Sequence, residues 1–269
     1  MHFDRRFVLQ GIGGCACCSL LAVPAHAREV QGKVVQGKVT GLAEIKGCFV
    51  DANNAGLVLG ANAALGRAAS MPPEVSTMAR SSGNPDLDKS FDRALQRLAE
   101  TFGVWPKVGF YDDGDAPNAM AMRYAVGPTH EFAVVFGRNY FAKLMAYDAS
   151  GITLLQTAAH EFAHVWVYQE GQFETIRGGQ KTVKRIELHA DFLAGYYLGV
   201  RKRDNPQAKF WAAGVRRWQS GDTEFHNVHH HGQPDERLAA AEAGFKLGFL
   251  DGKSAKEAFA AATAHVAKV

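Results

Sequence analysis

The sequence predicts an α+β protein with a small, mainly antiparallel sheet early in the chain and a helical C-terminal half. Three observations lead there. Apolar runs of strand length cluster between residues 108 and 136, apolar spacing of helical period fills the chain from residue 152 onward, and glycine, proline and polar clusters separate these segments. The chain has 269 residues, enough for one large domain or two small ones. An apolar fraction of 47% allows a substantial core. A formal charge of +3 is too weak a balance to argue for nucleic acid or an anionic membrane surface.

The first residues stand apart from that fold. Arg5 and Arg6 precede Phe7-Val8-Leu9, an apolar run extends from Gly11 to Val23, and Ala25-His26-Ala27 closes it. A basic start, a short hydrophobic stretch and an Ala-x-Ala site make residues 1–27 an export signal. A short membrane anchor is the alternative, but the stretch is short for a bilayer, and no stable span is expected in the mature chain. The arginine pair resembles a twin-arginine signal. Asp4 stands where serine or threonine is usual, so the general secretory route stays open. Both routes predict a mature protein in the periplasm or secreted. Cys15, Cys17 and Cys18 leave with the signal, and Cys48 alone can form neither an internal disulfide nor a thiolate-rich metal site.

Residues 28–87 read as an irregular N-terminal extension and 88–269 as the main domain. Asp88 to Gly103 is an amphipathic helix, with Asp88 as cap, Phe91, Leu95, Leu98 and Phe102 on one face, and Gly103 as its stop. Strands follow at Val108–Tyr111, Ala119–Val126 and Phe132–Phe136. Ile152 to Gln169 is the central helix, ended by Gly171, and residues 171–180 form a polar loop able to cover a cleft. Helices then run from Thr182 to Lys202 and from Ala208 to Gln219. A histidine-rich loop holds His226, His229, His230 and His231. A helix runs from Asp235 to about Phe249, with Pro234 near its first turn, and a last helix begins at Ser254, where Glu257 completes a capping box.

The chemistry lies in two helices. His160-Glu161-Phe162-Ala163-His164 sets two imidazoles at i and i+4, one turn apart on one face, so both reach one metal ion. Glu161 sits beside them as a candidate general base. A catalytic zinc ion needs a third protein ligand and an open position. Glu187 and Asp191 are again i and i+4 on the next long helix: Glu187 is the candidate ligand, and Asp191 the acceptor that orients a ligating histidine, His160 first. His189 is a rival third ligand, and a solvated acidic face is the plain alternative. The remaining loop histidines read either as a second metal patch or as ordinary polar loop residues. Tyr147, Tyr168, Tyr196, Tyr197, Trp166, Trp211 and Trp218 read as packing residues.

The pair of motifs, His160-Glu-Phe-Ala-His164 and Glu187-Leu-His-Ala-Asp191, resembles the Glu-zincin metallopeptidases, above all the bacterial neutral zinc metallopeptidases and the M48-like peptidases. His231-Gly-Gln-Pro-Asp-Glu-Arg237 is similar to a later segment of the former. The resemblance spans about residues 88–249. It implies a zincin-like fold, one zinc ion held by His160, His164 and Glu187, and catalysis by Glu161. It further implies an oxyanion role for His231, a cleft-wall role for Arg237, and a peptide or protein substrate lying along an edge strand. Alternatives are a zinc amidase acting on cell-wall peptides and a non-catalytic zinc-binding scaffold.

Overall fold

The computed structural model describes residues 78–269 apart from 116, 127–128 and 224–229, and the side chains of 125, 211 and 218 are likewise outside the description. The expected export signal at residues 1–27, Cys48, most of the expected N-terminal extension, His226, His229 and the Trp211 and Trp218 side chains therefore lie outside the described residues.

The described chain opens with helix α1 (Pro85–Phe102) and continues through strands β1 (Lys107–Tyr111), β2 (Ala119–Val126) and β3 (Thr129–Gly137). Seven helices follow: α2 (Arg138–Tyr147), α3 (Ile152–Gln169), α4 (Phe173–Arg177), α5 (Lys184–Asp204), α6 (Trp211–Gln219), α7 (Pro234–Phe249) and α8 (Ala255–Val266). None is long and apolar enough to cross a membrane.

Helix α1 buries the expected face, Phe91, Leu95, Leu98 and Phe102, and ends at Gly103 in the left-handed conformation that glycine adopts without steric cost. Its start differs from the expectation. Pro85 occupies the first turn, and the Asn84 side chain, not Asp88, accepts the capping bond, from Leu87 N at 3.2 Å. Asp88 instead accepts from Ser82 N at 3.0 Å and from the Ser81 and Ser82 hydroxyls.

The sheet has the order β1-β3-β2. β2 and β3 form the expected antiparallel hairpin, Ala119 opposite Phe136 through Val126 opposite Thr129. β1, however, pairs with β3 in parallel, so the sheet is mixed rather than uniformly antiparallel. The cause is the crossover: the chain leaves β1, passes to the far edge as β2, and returns as β3 into the middle in the direction of β1. Asp113 fixes the crossover by accepting from Asn139 N and Tyr140 N, each at 2.9 Å, at the start of α2. Alternation places Ala119, Ala121, Val134 and Phe136 in the core shared with the helices, and Met120, Met122, Tyr124, Ala133 and Val135 in a second cluster.

Helix α3 packs on β2 and β3, with α1, α2, α5 and α6 around it. It is buried almost throughout, from Thr153 to Tyr168, its polar side chains included. Residues 171–180 are not simply a polar loop: Phe173 and Ile176 of α4 are buried in the core. The tightest packing joins α5 to α7. A Cβ added at Gly244 would stand 1.8 Å from the carbonyl oxygen of Phe192, and one at Gly195 1.9 Å from that of Ala241, so glycine lets the two backbones touch. Helix α8 carries the expected capping box between Ser254 and Glu257.

Candidate metal centre

Polar side chains on a helix buried on every side have to find partners inside the protein. His160, Glu161 and His164 of α3 are all 1% exposed or less, as are Glu187 and Asp191 of α5, which packs against α3. His160 Nε2 lies 3.1 Å from His164 Nε2. The Glu187 carboxylate faces both rings, with Oε2 3.3 Å from His160 Nε2 and Oε1 3.3 Å from His164 Nε2. Among the described residues this is the one group of three whose ligand atoms converge so as to hold a metal ion.

The residues fit such an ion. Donors about 2.0–2.1 Å from a shared tetrahedral centre stand about 3.3 Å apart, which is the spacing of these three groups. Burial pushes the Glu187 carboxyl up, but His160 and His164 against it outweigh burial and hold it well below the usual carboxylate range. His164 shows the reciprocal effect: burial lowers its affinity for a proton, yet the adjoining Glu187 raises it overall. An imidazole that attracts a proton in this field attracts a metal cation by the same electrostatics.

Asp191 is the hub behind this group. Its Oδ1 lies 2.8 Å from His160 Nδ1, the ring nitrogen turned away from the converging donors. Arg237 of α7 donates to it twice, Nε to Oδ2 at 2.7 Å and Nη2 to Oδ1 at 3.1 Å. The same Nη2 donates to Glu187 Oε2 at 3.2 Å, and Nη1 donates to Ser220 O at 3.1 Å. Arg217 of α6 adds a contact to Oδ1 at 3.0 Å. Burial alone would push the Asp191 carboxyl up, but Arg217, Arg237 and His160 hold it far below the usual range. A fixed carboxylate at Nδ1 puts the proton there and leaves Nε2 as the lone-pair donor.

His231 precedes α7 in the chain and is partly buried. Its backbone N donates to Asp222 Oδ2 at 2.9 Å, and its Nδ1 is 3.5 Å from the same oxygen. It contributes to the field that depresses Glu187. His230 Nδ1 contacts the other Asp222 oxygen, and Asp222 N donates to Gly232 O at 3.0 Å, so Asp222 ties the two ends of the histidine loop together. His189 does not join the group. Its ring packs on Phe259, its Nε2 is 3.2 Å from Thr263 Oγ1, and burial together with the nearby His164 lowers its pKa to about 3.

The tyrosines and tryptophan behave mostly as packing groups. Tyr196 donates to Lys253 O, Tyr197 to Ala94 O, Tyr168 stacks on Phe173, and Trp166 packs between Phe102 and Phe259. Sequence reasoning missed Arg217, Ser220 and Asp222. Nothing in the local pattern around Arg216 and Arg217, near the end of a short helix, signals their burial, which only the packed fold shows. Comparison of the chain with protein-family models, with curated proteins and with solved structures gave no match.

Proposed function

We propose that the chain is an exported zinc-dependent peptidase with a zincin-like fold. The convergence of His160, His164 and Glu187, with Glu161 next to His160 on the same buried helix, carries this reading. Two imidazoles and one carboxylate are a donor set that catalytic zinc takes while leaving a position for solvent. When bound, zinc supplies a Lewis acid for the scissile carbonyl and lowers the pKa of water.

The chain's own side chains do the rest. Glu161 accepts the proton of the attacking water at a carboxylate oxygen and delivers it to the leaving amine nitrogen, so water and amide become acid and amine. Asp191 holds the His160 ring through Nδ1 and fixes its tautomer. Arg237, bonded to both acids, holds Glu187 and Asp191 in place and helps keep Asp191 ionised. His231, anchored by Asp222, donates to the oxyanion that forms on the substrate carbonyl. β2 lies at the sheet edge against α3, and its outer side has no strand partner among the described residues, so an extended peptide can pair there.

The test is Glu161→Gln in the full mature chain, assayed for metal by mass spectrometry and for cleavage of quenched fluorescent casein. Metal content is expected to hold while cleavage falls by about a hundredfold or more, the contribution of a positioned general base. Full activity in this variant rules the mechanism out.

A further inference from the structure

The sheet carries apolar side chains on both faces. Its inner face packs on the helices through Ala119, Ala121, Val134 and Phe136. Its outer face holds Met120, Met122, Ala133 and Val135, each 8% exposed or less. Tyr124 beside them is shielded by Lys107, whose Nζ lies 5.9 Å from the centroid of its ring. Lys107 and Glu131 pair at the margin of this face and stay partly in solvent. The four apolar residues have less above them. Among the described residues, the hydrophobic side chains packed on their cluster are Met78 and Tyr111. A sheet buried on both faces needs a second layer, and two side chains do not make one.

The entry of the chain shows where that layer comes from. Met78 already lies on the outer face: a Cβ added at Gly109 would stand 2.9 Å from its Cγ and Sδ. Gly109 pairs with Val135, so the missing side chain leaves room for Met78 beside the apolar cluster. Ala79 is bonded antiparallel to β1, its N to Phe110 O and its O to Phe110 N, each at 2.8 Å. The patch spans three strands and about three positions along each, roughly 10 by 7 Å, which one strand or one turn of helix covers. Residues 28–77 contain two short apolar runs, Cys48-Phe49-Val50 and Leu57-Val58-Leu59.

We propose that residues 28–77 cover the outer face of the sheet, entering it across Gly109. The sheet then lies between the helices and the N-terminal segment of the same chain. A second copy of the chain would have to share this face with Met78. The segment is thus part of the domain's architecture, and the edge of β2 stays open for an extended peptide. The inference stands apart from the peptidase reading and its test needs no substrate.

The full mature chain, residues 28–269, is produced with the diazirine analogue of methionine, which nearly preserves side-chain size. It is irradiated, separated on a denaturing gel and digested for mass spectrometry. Met78 is the internal control, because it should link to β1. In the monomer band, Met120 and Met122 are expected to link to residues 28–77, with a yield unchanged on dilution. Links from Met120 or Met122 found only in a band of doubled mass place a second copy on the face and overturn the proposal. Links from these two confined to residues 78–269, or no links from them while Met78 reacts, overturn it as well.

Discussion

Arg237 Nε lies 2.7 Å from Asp191 Oδ2, a contact between α7 and α5 that spans 46 positions of the chain. Through it the C-terminal helices hold the acidic half of the candidate metal centre. The guanidinium is buried and also reaches Glu187 and Ser220 O, so its removal strands several partners at once. Arg237→Met is expected to cost about 3 kcal/mol of stability, because Asp191 then remains buried with fewer counter-charges. Urea unfolding of the metal-free chain measures this. A loss below about 1 kcal/mol would mean Arg217 alone suffices.

Asp191 would act on a bound metal ion through His160, whose Nδ1 it faces at 2.8 Å. Asp191→Asn keeps an acceptor of similar shape but gives up the charge. Zinc affinity should fall about 10–100-fold, the usual cost of losing the group that orients a ligating histidine. Competition with a chromophoric chelator reads the change. Glu187→Ala should cost far more, and equal effects of the two substitutions would contradict the division between ligand and orienter.

Gly244 tests how closely α7 must approach α5. A methyl group there would meet the Phe192 carbonyl oxygen at 1.8 Å, which backbone movement alone can relieve. Gly244→Ala is expected to destabilise by about 2–3 kcal/mol despite its better helix propensity. Because Arg237 rides on the same helix, metal affinity should weaken along with stability. Unchanged affinity in a destabilised variant would uncouple the helix seam from the site.

Glu257 offers a pH-dependent readout outside the candidate metal centre. The Ser254 backbone N–H, the Ser254 hydroxyl and Lys253 hold its carboxyl at about 2, below the ordinary 4.5. A depressed carboxyl contributes stability in full above its unfolded value and loses it as pH falls through the folded one. Wild type should therefore melt above Glu257→Gln at pH 6, and the gap should shrink between about pH 4.5 and about pH 2. A gap that stays constant across that window would show that charge plays no part in the cap.

How much of this was legible beforehand depends on the range of the interaction. Helix α1, the hairpin strands and the cap at Ser254 follow from apolar period, turn residues and local hydrogen bonding, all within a few positions of one another. The convergence of His160 with His164 follows from one turn of helix, and the shared direction of Glu187 and Asp191 from another. Helix α2 and the short α4 were not visible. The first begins where Asp113, some 26 positions away, accepts its leading N–H groups, and the second is fixed by burial of Phe173 and Ile176.

The sequence by itself determined which side chains are able to ligate and on which helices they sit, because helical spacing dictates direction. Only the tertiary structure decided that His160 to His164 would meet Glu187 with donor atoms about 3 Å apart. It also decided that Asp191 would gather two arginines from α6 and α7. Such contacts depend on how closely helices approach, as at Gly244 and Phe192, and that approach is set by backbone packing across the fold rather than by any local pattern.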